Sequence, residues 1–157
     1  MDFTILFYII ISMLPVIELR GGLPLAINYA LNNNLPVSLI FLLIVLSNIL
    51  VIFFVFYFLD NLNKRLLKFP CYKKFFNFYV GKMQKKVDKF EKKYSALGFF
   101  ALIFLVAIPL PGTGAWTGSF VSWFLGLDRK KSIFSIALGV LIAGILVLLT
   151  TLGFLFL

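Results

Sequence analysis

Hydrophobic residues fall along this chain in two kinds of run. Residues 36–59 (PVSLIFLLIVLSNILVIFFVFYFL) and 132–157 (SIFSIALGVLIAGILVLLTTLGFLFL) are apolar almost throughout. Each exceeds the ~20 residues that a helix needs to cross a bilayer core, so each predicts a transmembrane helix. The runs 3–14, 24–31, 96–108 and 115–127 are shorter, in the length range of re-entrant segments. Two interruptions separate the short runs, PVIELRGGLP at 15–24 and AIPLPGTGAW at 107–116. Their prolines and glycines are expected to stop a helix. The pattern therefore predicts a hairpin over 3–34, a helix over 36–59, a linker over 60–95, a second hairpin over 96–127 and a helix over 132–157.

Charge orients these elements. Eleven of the fifteen Lys/Arg lie between residues 60 and 93, and Arg129, Lys130 and Lys131 follow the second hairpin. An excess of Lys/Arg marks cytoplasmic segments, which puts 60–95 and 128–131 on the inside. The apolar stretch between them is too short for two full spans, so it must enter and return. The first half mirrors this arrangement from the outside. The predicted fold class is an all-α integral membrane protein: an inverted repeat of re-entrant helical hairpin plus transmembrane helix, joined by a basic amphipathic cytoplasmic helix. In that linker Phe76, Val80, Met83, Val87, Phe90 and Tyr94 recur at spacings of three and four. Lys82, Lys85, Lys86, Lys89, Lys92 and Lys93 occupy the other faces, a pattern suited to anionic headgroups on the inner leaflet.

Composition agrees, with 62% hydrophobic residues against roughly 45–50% in soluble domains. The N-terminus has no basic n-region and does not read as a removable signal peptide. Histidine is absent and Cys71 is the only cysteine, so neither a disulfide framework nor a thiolate metal cluster is expected. An intramembrane enzyme would need a Ser–His pair, paired acids or a metal, and Glu18 is the single acid deep in an apolar run. No cofactor and no nucleic-acid partner is expected.

The candidate site lies in the two breaks. Glu18 and Arg20, read as extended backbone, would point to one side and either pair with each other or line one cavity. Gly21 and Gly22 loosen that break, and Pro24 suits the first turn of a new half-helix. In the second break Pro109 and Pro111 forbid helix, Gly112 and Gly114 expose backbone where the hairpins approach, and Thr113 or Thr117 supplies a hydroxyl. A half-helix is expected to start near Ala115, its N-terminus favourable to anions. Trp116 and Trp123 read as interfacial anchors or packing aromatics, and Asn48 as an interhelical hydrogen-bonding residue. Ser135, Gly139 and Ala143 form a small-residue stripe for close packing within the monomer or in a homodimer.

The strings ELRGGLP (18–24) and PLPGTGAWTGS (109–119), with GLDRKK after them, resemble the family of small multidrug export proteins across essentially the whole chain. That family is similar in layout to the DedA/VTT-type membrane proteins, a likeness that implies two facing re-entrant hairpins and lipid or lipid-phosphate translocation. The resemblance carries over Glu18, Arg20, Pro24, Pro109, Pro111, Gly112, Thr113, Gly114 and Trp116 as motif positions. DedA-type proteins flank their second Pro-Gly with arginines, whereas Ile108 and Gly114 stand in that neighbourhood here. The expected function is a transporter, exporter or lipid-phosphate translocase, with proton coupling through Glu18 and a small-molecule or lipid-phosphate substrate. A non-transporting membrane scaffold is the alternative.

Overall fold

The computed structural model describes residues 3–68, 98–108 and 112–155. The lysine-rich part of the linker, including Lys82 to Lys93 and Cys71, lies outside these residues, as do Pro109 and Pro111. The elements are α1 (Phe3–Ser12), α2 (Glu18–Asn32), α3 (Val37–Leu66), α4 (Gly98–Ala107), α5 (Ala115–Leu125) and α6 (Arg129–Leu155). No strand occurs among the described residues.

Two helices are long and apolar enough to cross a membrane, over Val37–Arg65 (mean hydropathy 3.1) and Arg129–Phe154 (2.8). Their outward faces carry Leu50, Phe53, Phe54, Tyr57, Phe134 and Leu149, all more than half exposed. A water-soluble protein would not present such a surface; lipid is the solvent that accepts it.

The chain reverses twice by the same device. After α2, Asn34 adopts a left-handed conformation (φ 54°) and the Leu35 N–H bonds the carbonyl of Ala30 at 2.9 Å. After α5, Gly126 is left-handed (φ 68°) and the Leu127 N–H bonds the carbonyl of Ser122 at 3.0 Å. Each turn satisfies the helix's last carbonyls and sends the chain directly into a long helix. Asn and Gly are the residues that tolerate this backbone.

Packing follows the same duplication. α2 packs on α3 and on α6; α5 packs on α6 and on α3; α3 and α6 pack on each other. α1 lies against α2 and α3, while α4 lies against α5 through Gly118 and against α6 through Gly139. Exchanging the two halves maps this set of neighbours onto itself. Lipid tails are as apolar as leucine, so close van der Waals contact and hydrogen bonds must hold these helices together. Glycine supplies the closeness. A Cβ on Gly139 would stand 2.7 Å from the Val106 Cβ and 3.0 Å from the Ile103 carbonyl oxygen, and one on Gly22 would stand 2.9 Å from the Ser12 Cα. The small-residue stripe of α6 is thus occupied at Gly139 by α4 of the same chain.

The hydrogen bonds come from a buried cluster. Asn48 Nδ2 donates to Ser12 Oγ at 3.3 Å and to the Ile44 carbonyl at 3.0 Å, and Ser47 Oγ lies 3.4 Å from Ser12 Oγ. Asn48 therefore bridges α3 to α1. Around it the core closes with Leu23, Ile27, Ile44, Ile52 and Ile136, all fully buried.

Candidate functional site

The first break is narrower than the sequence predicts. Regular helix stops at Ser12 and resumes at Glu18, then runs through Gly21, Gly22 and Pro24 to Asn32. Arg20 and both glycines are helical rather than extended, Glu18 opens the helix on a left-handed backbone (φ 48°), and Pro24 is the seventh residue of α2 instead of its first turn. The helix tolerates this proline because packing and neighbouring groups can meet the backbone demand created by its missing N–H. Only one carbonyl, that of Arg20, loses its helical donor.

Helical geometry sets the fate of the two charges. Residues two apart on a helix face different ways, and no ion pair joins Glu18 to Arg20. Each instead meets a helix end in the second break. Glu18 is buried (4% exposed), and its Oε1 accepts a long 3.4 Å hydrogen bond from the Trp116 backbone N–H. Trp116 is in the first turn of α5, whose N-cap residue, Gly114, offers no capping side chain. The carboxylate thus serves from α2 as the missing cap, at the positive end of the α5 dipole. Gly114 makes room for it, since a Cβ there would overlap the Glu18 carboxyl group. Glu18 itself has φ 48°. That left-handed backbone costs a non-glycine residue about 1–3 kcal/mol and recurs at functional sites.

Arg20 meets the opposite pole. Its Nη2 donates to the carbonyls of Val106 (3.4 Å) and Ile108 (3.1 Å), to the Thr113 carbonyl and to Thr113 Oγ1 (2.9 Å). These oxygens belong to the C-terminal end of α4 and the segment beyond it, where helix carbonyls lack partners and a cation is favoured. Thr113 Oγ1 in turn donates to the Ile108 carbonyl at 2.9 Å. Arg20 Nη1 is buried and makes no hydrogen bond among the described residues.

Trp116 returns the link to the first break, its indole N–H donating to the Met13 carbonyl at 2.9 Å. Glu18, Leu19, Arg20, Asn48, Val106, Gly114, Ala115, Val140 and Ala143 surround a cavity of about 10 Å³, room for roughly one water. The structure therefore brings together Glu18, Arg20, Thr113, Gly114 and Trp116. Gly112 departs from expectation. A Cβ there would meet no described atom within 4 Å, so the described residues do not crowd it; glycine is needed for its left-handed backbone (φ 79°). Gly21 and Gly22 face α2's own approach and α1, where Cβ atoms would meet Ile17 and Ser12.

One cluster was not anticipated. Asp60, near the end of α3, accepts hydrogen bonds from the Trp123 indole (2.8 Å) and from Arg129 Nη2 (2.7 Å). The Arg129 guanidinium also lies 4.8 Å from the Phe56 ring centroid. Asp60 ends one apolar run and Arg129 precedes another, so their shared position at the membrane boundary was the available signal. Trp123 is thereby a hydrogen-bonding tie between α5 and α3.

The fold and its apolar exterior define an integral membrane protein made of helices. The chain belongs to the family described as "Putative small multi-drug export protein", whose model matches residues 18–146. The match begins at Glu18 and takes in both turns, α2, α5 and the second break. That membership assigns the protein, at the coarse level, to membrane transport. No curated protein and no solved structure matches the chain.

Proposed function

We propose that the protein is a proton-coupled exporter of small amphiphilic molecules in the cell membrane. On this reading the two halves are inverted repeats, each a re-entrant hairpin followed by a transmembrane helix, and their breaks meet near the bilayer midplane. Segments 60–95 and 128–131 face the cytoplasm, and the linker lysines engage anionic headgroups. The duplicated element order and the exchangeable packing support it, as broken helices in paired repeats are a common transporter design.

The observation that carries the reading is Glu18: a 4% exposed carboxylate with no ion-pair partner among the described residues, on a left-handed backbone, at the N-terminus of a half-helix from the other repeat. Capping α5 is a structural gain for this acid, and a titrating acid in the same place would in addition couple protonation to the grip on α5. Gain or loss of a proton changes the charge at the α5 N-terminus and so the balance between closed and open arrangements. The 10 Å³ cavity then corresponds to an occluded centre.

The test is transport in proteoliposomes under an imposed pH gradient. Glu18→Gln keeps the shape and an acceptor for the Trp116 N–H but removes titration. It should fold, with at most a modest drop in melting temperature from losing the anion at the α5 N-terminus, and lose gradient-driven transport. Retention of that transport by Glu18→Gln would overturn the coupling role. Wild-type protein that moves neither amphiphiles nor lipid phosphates would identify a membrane scaffold instead of a carrier.

A further inference from the structure

A groove of about 420 Å³ opens between α2 and α6, lined by Pro24, Leu25, Asn28, Thr150, Thr151 and Phe154. That volume is in the range of small-molecule sites. Its position is informative. Thr150 lies near the end of α6 remote from Arg129, roughly 30 Å away at ~1.5 Å per residue. The Arg129 end is tied shut by Asp60 and Trp123, while the groove end is open.

The chemistry of the lining is selective. Pro24, Leu25 and Phe154 give an apolar wall, and no described lining residue carries a charge. The Thr150 hydroxyl donates to the carbonyls of Leu146 and Val147, both at 3.0 Å, and that of Thr151 to Val147 at 2.7 Å. Each hydroxyl has one proton, and helix carbonyls have taken both, so the groove receives only oxygen lone pairs from them. Asn28 is exposed, and its side chain makes no hydrogen bond to another described residue. Its amide adds a further acceptor and the one side-chain donor group. An uncompensated carboxamide on an apolar helix face is costly in lipid and calls for a partner.

We propose that this groove is a second ligand site, distinct from Glu18, that takes an amphiphile with an apolar body and a hydrogen-bond-donating head such as a primary amine. A phosphate head, rich in acceptors and negative, would face three oxygens and no cation. As the release vestibule of an exporter the groove rests on the transport reading; as a binding site it stands without it.

The experiment is photolabelling of the full-length protein in nanodiscs with two diazirine probes of equal chain length, an alkylamine and an alkyl phosphate, followed by peptide mapping. The alkylamine should label residues 24–28 and 150–154. Asn28→Leu, on an exposed surface where no hole is made, should reduce that labelling about 2–10-fold, the range expected from loss of one hydrogen bond. Thr151→Val should do the same. Asp60→Asn, at the opposite end of the helices, should leave it unchanged, and because the readout is labelling rather than transport, a failed proton-coupling test does not decide this one. Equal labelling by the phosphate probe, adducts mapping elsewhere, or full labelling of Asn28→Leu would each overturn the assignment.

Discussion

Gly114→Ala is the smallest change that reaches the contact between the two halves. The added methyl would occupy the position of the Glu18 carboxyl group, and both partners are hemmed in. Glu18 is 4% exposed, and Gly114 N-caps α5, with its carbonyl accepting the Gly118 N–H at 2.9 Å. The carboxylate must therefore leave the α5 N-terminus. Overpacking of this kind costs about 1–3 kcal/mol. Loss of an anion from a partly buried helix N-terminus adds up to ~2 kcal/mol, discounted here because the hydrogen bond to Trp116 is long at 3.4 Å.

For a chain of this size about 1 kcal/mol shifts the melting temperature by roughly 2–4 °C, so Gly114→Ala should lower it by roughly 2–12 °C. Transport, measured per folded molecule, should fall about tenfold or more. Gly153→Ala is the control. A Cβ there meets no described atom within 4 Å, and Gly153 is helical, so that variant should be neutral or slightly stabilised. Adding Glu18→Ala to Gly114→Ala removes the obstructing carboxylate and should recover the melting temperature while leaving transport dead. The reasoning is refuted if Gly114→Ala melts and transports as wild type, or if the double variant melts lower than Gly114→Ala alone.

Three further outcomes are expected. With Cys71 replaced by serine, single cysteines at Asn33 and Lys130 should react with impermeant reagent from opposite sides of sealed vesicles; labelling from one side would end the inverted-repeat topology. Arg20→Lys should destabilise by about 1–3 kcal/mol, read by thermal melting, because the shorter lysine side chain leaves its nitrogen short of the oxygens from Val106 to Thr113 that Nη2 reaches. The Asp60–Arg129 pair, with side chains 36% and 51% exposed, should show a coupling of only about 0.2–1 kcal/mol in a double-mutant cycle, and a larger value would mean that this end is drier than its exposure indicates.

The long helices were legible because twenty-odd apolar residues in succession have few other physical outcomes. The second break was legible for a similar reason: two prolines and two glycines in six residues leave helix no route. The first break misled because Gly21, Gly22 and Pro24 look like the same signal. There the glycines serve helix packing against Ser12 and Ile17, and one proline costs only a single internal bond. Propensity gave way to tertiary contact. Asp60, Asn28 and the α6 threonines were not legible as partners, since their meaning depends on which helices become neighbours. Gly112 and Gly114 show the same limit from the other side. Both are glycines in one loop, yet one answers a backbone angle and the other a carboxylate arriving from residue 18.

That arrival explains why the charges stand two apart. An ion pair between Glu18 and Arg20 would neutralise both locally and leave the second break unattended. On a helix they diverge, so the acid meets the N-terminus of α5 and the base meets the carbonyls beyond α4. The two ends of one interrupted segment are thereby held by separate groups of opposite sign. On the proposed reading only the acid changes its charge, because guanidinium stays protonated. Protonation of Glu18 would weaken the hold on α5 while Arg20 still fixes α4, so the break would open from one side about a fixed edge. A switch of this kind needs one titrating and one permanent charge, on one rigid helix, aimed at opposite helix poles.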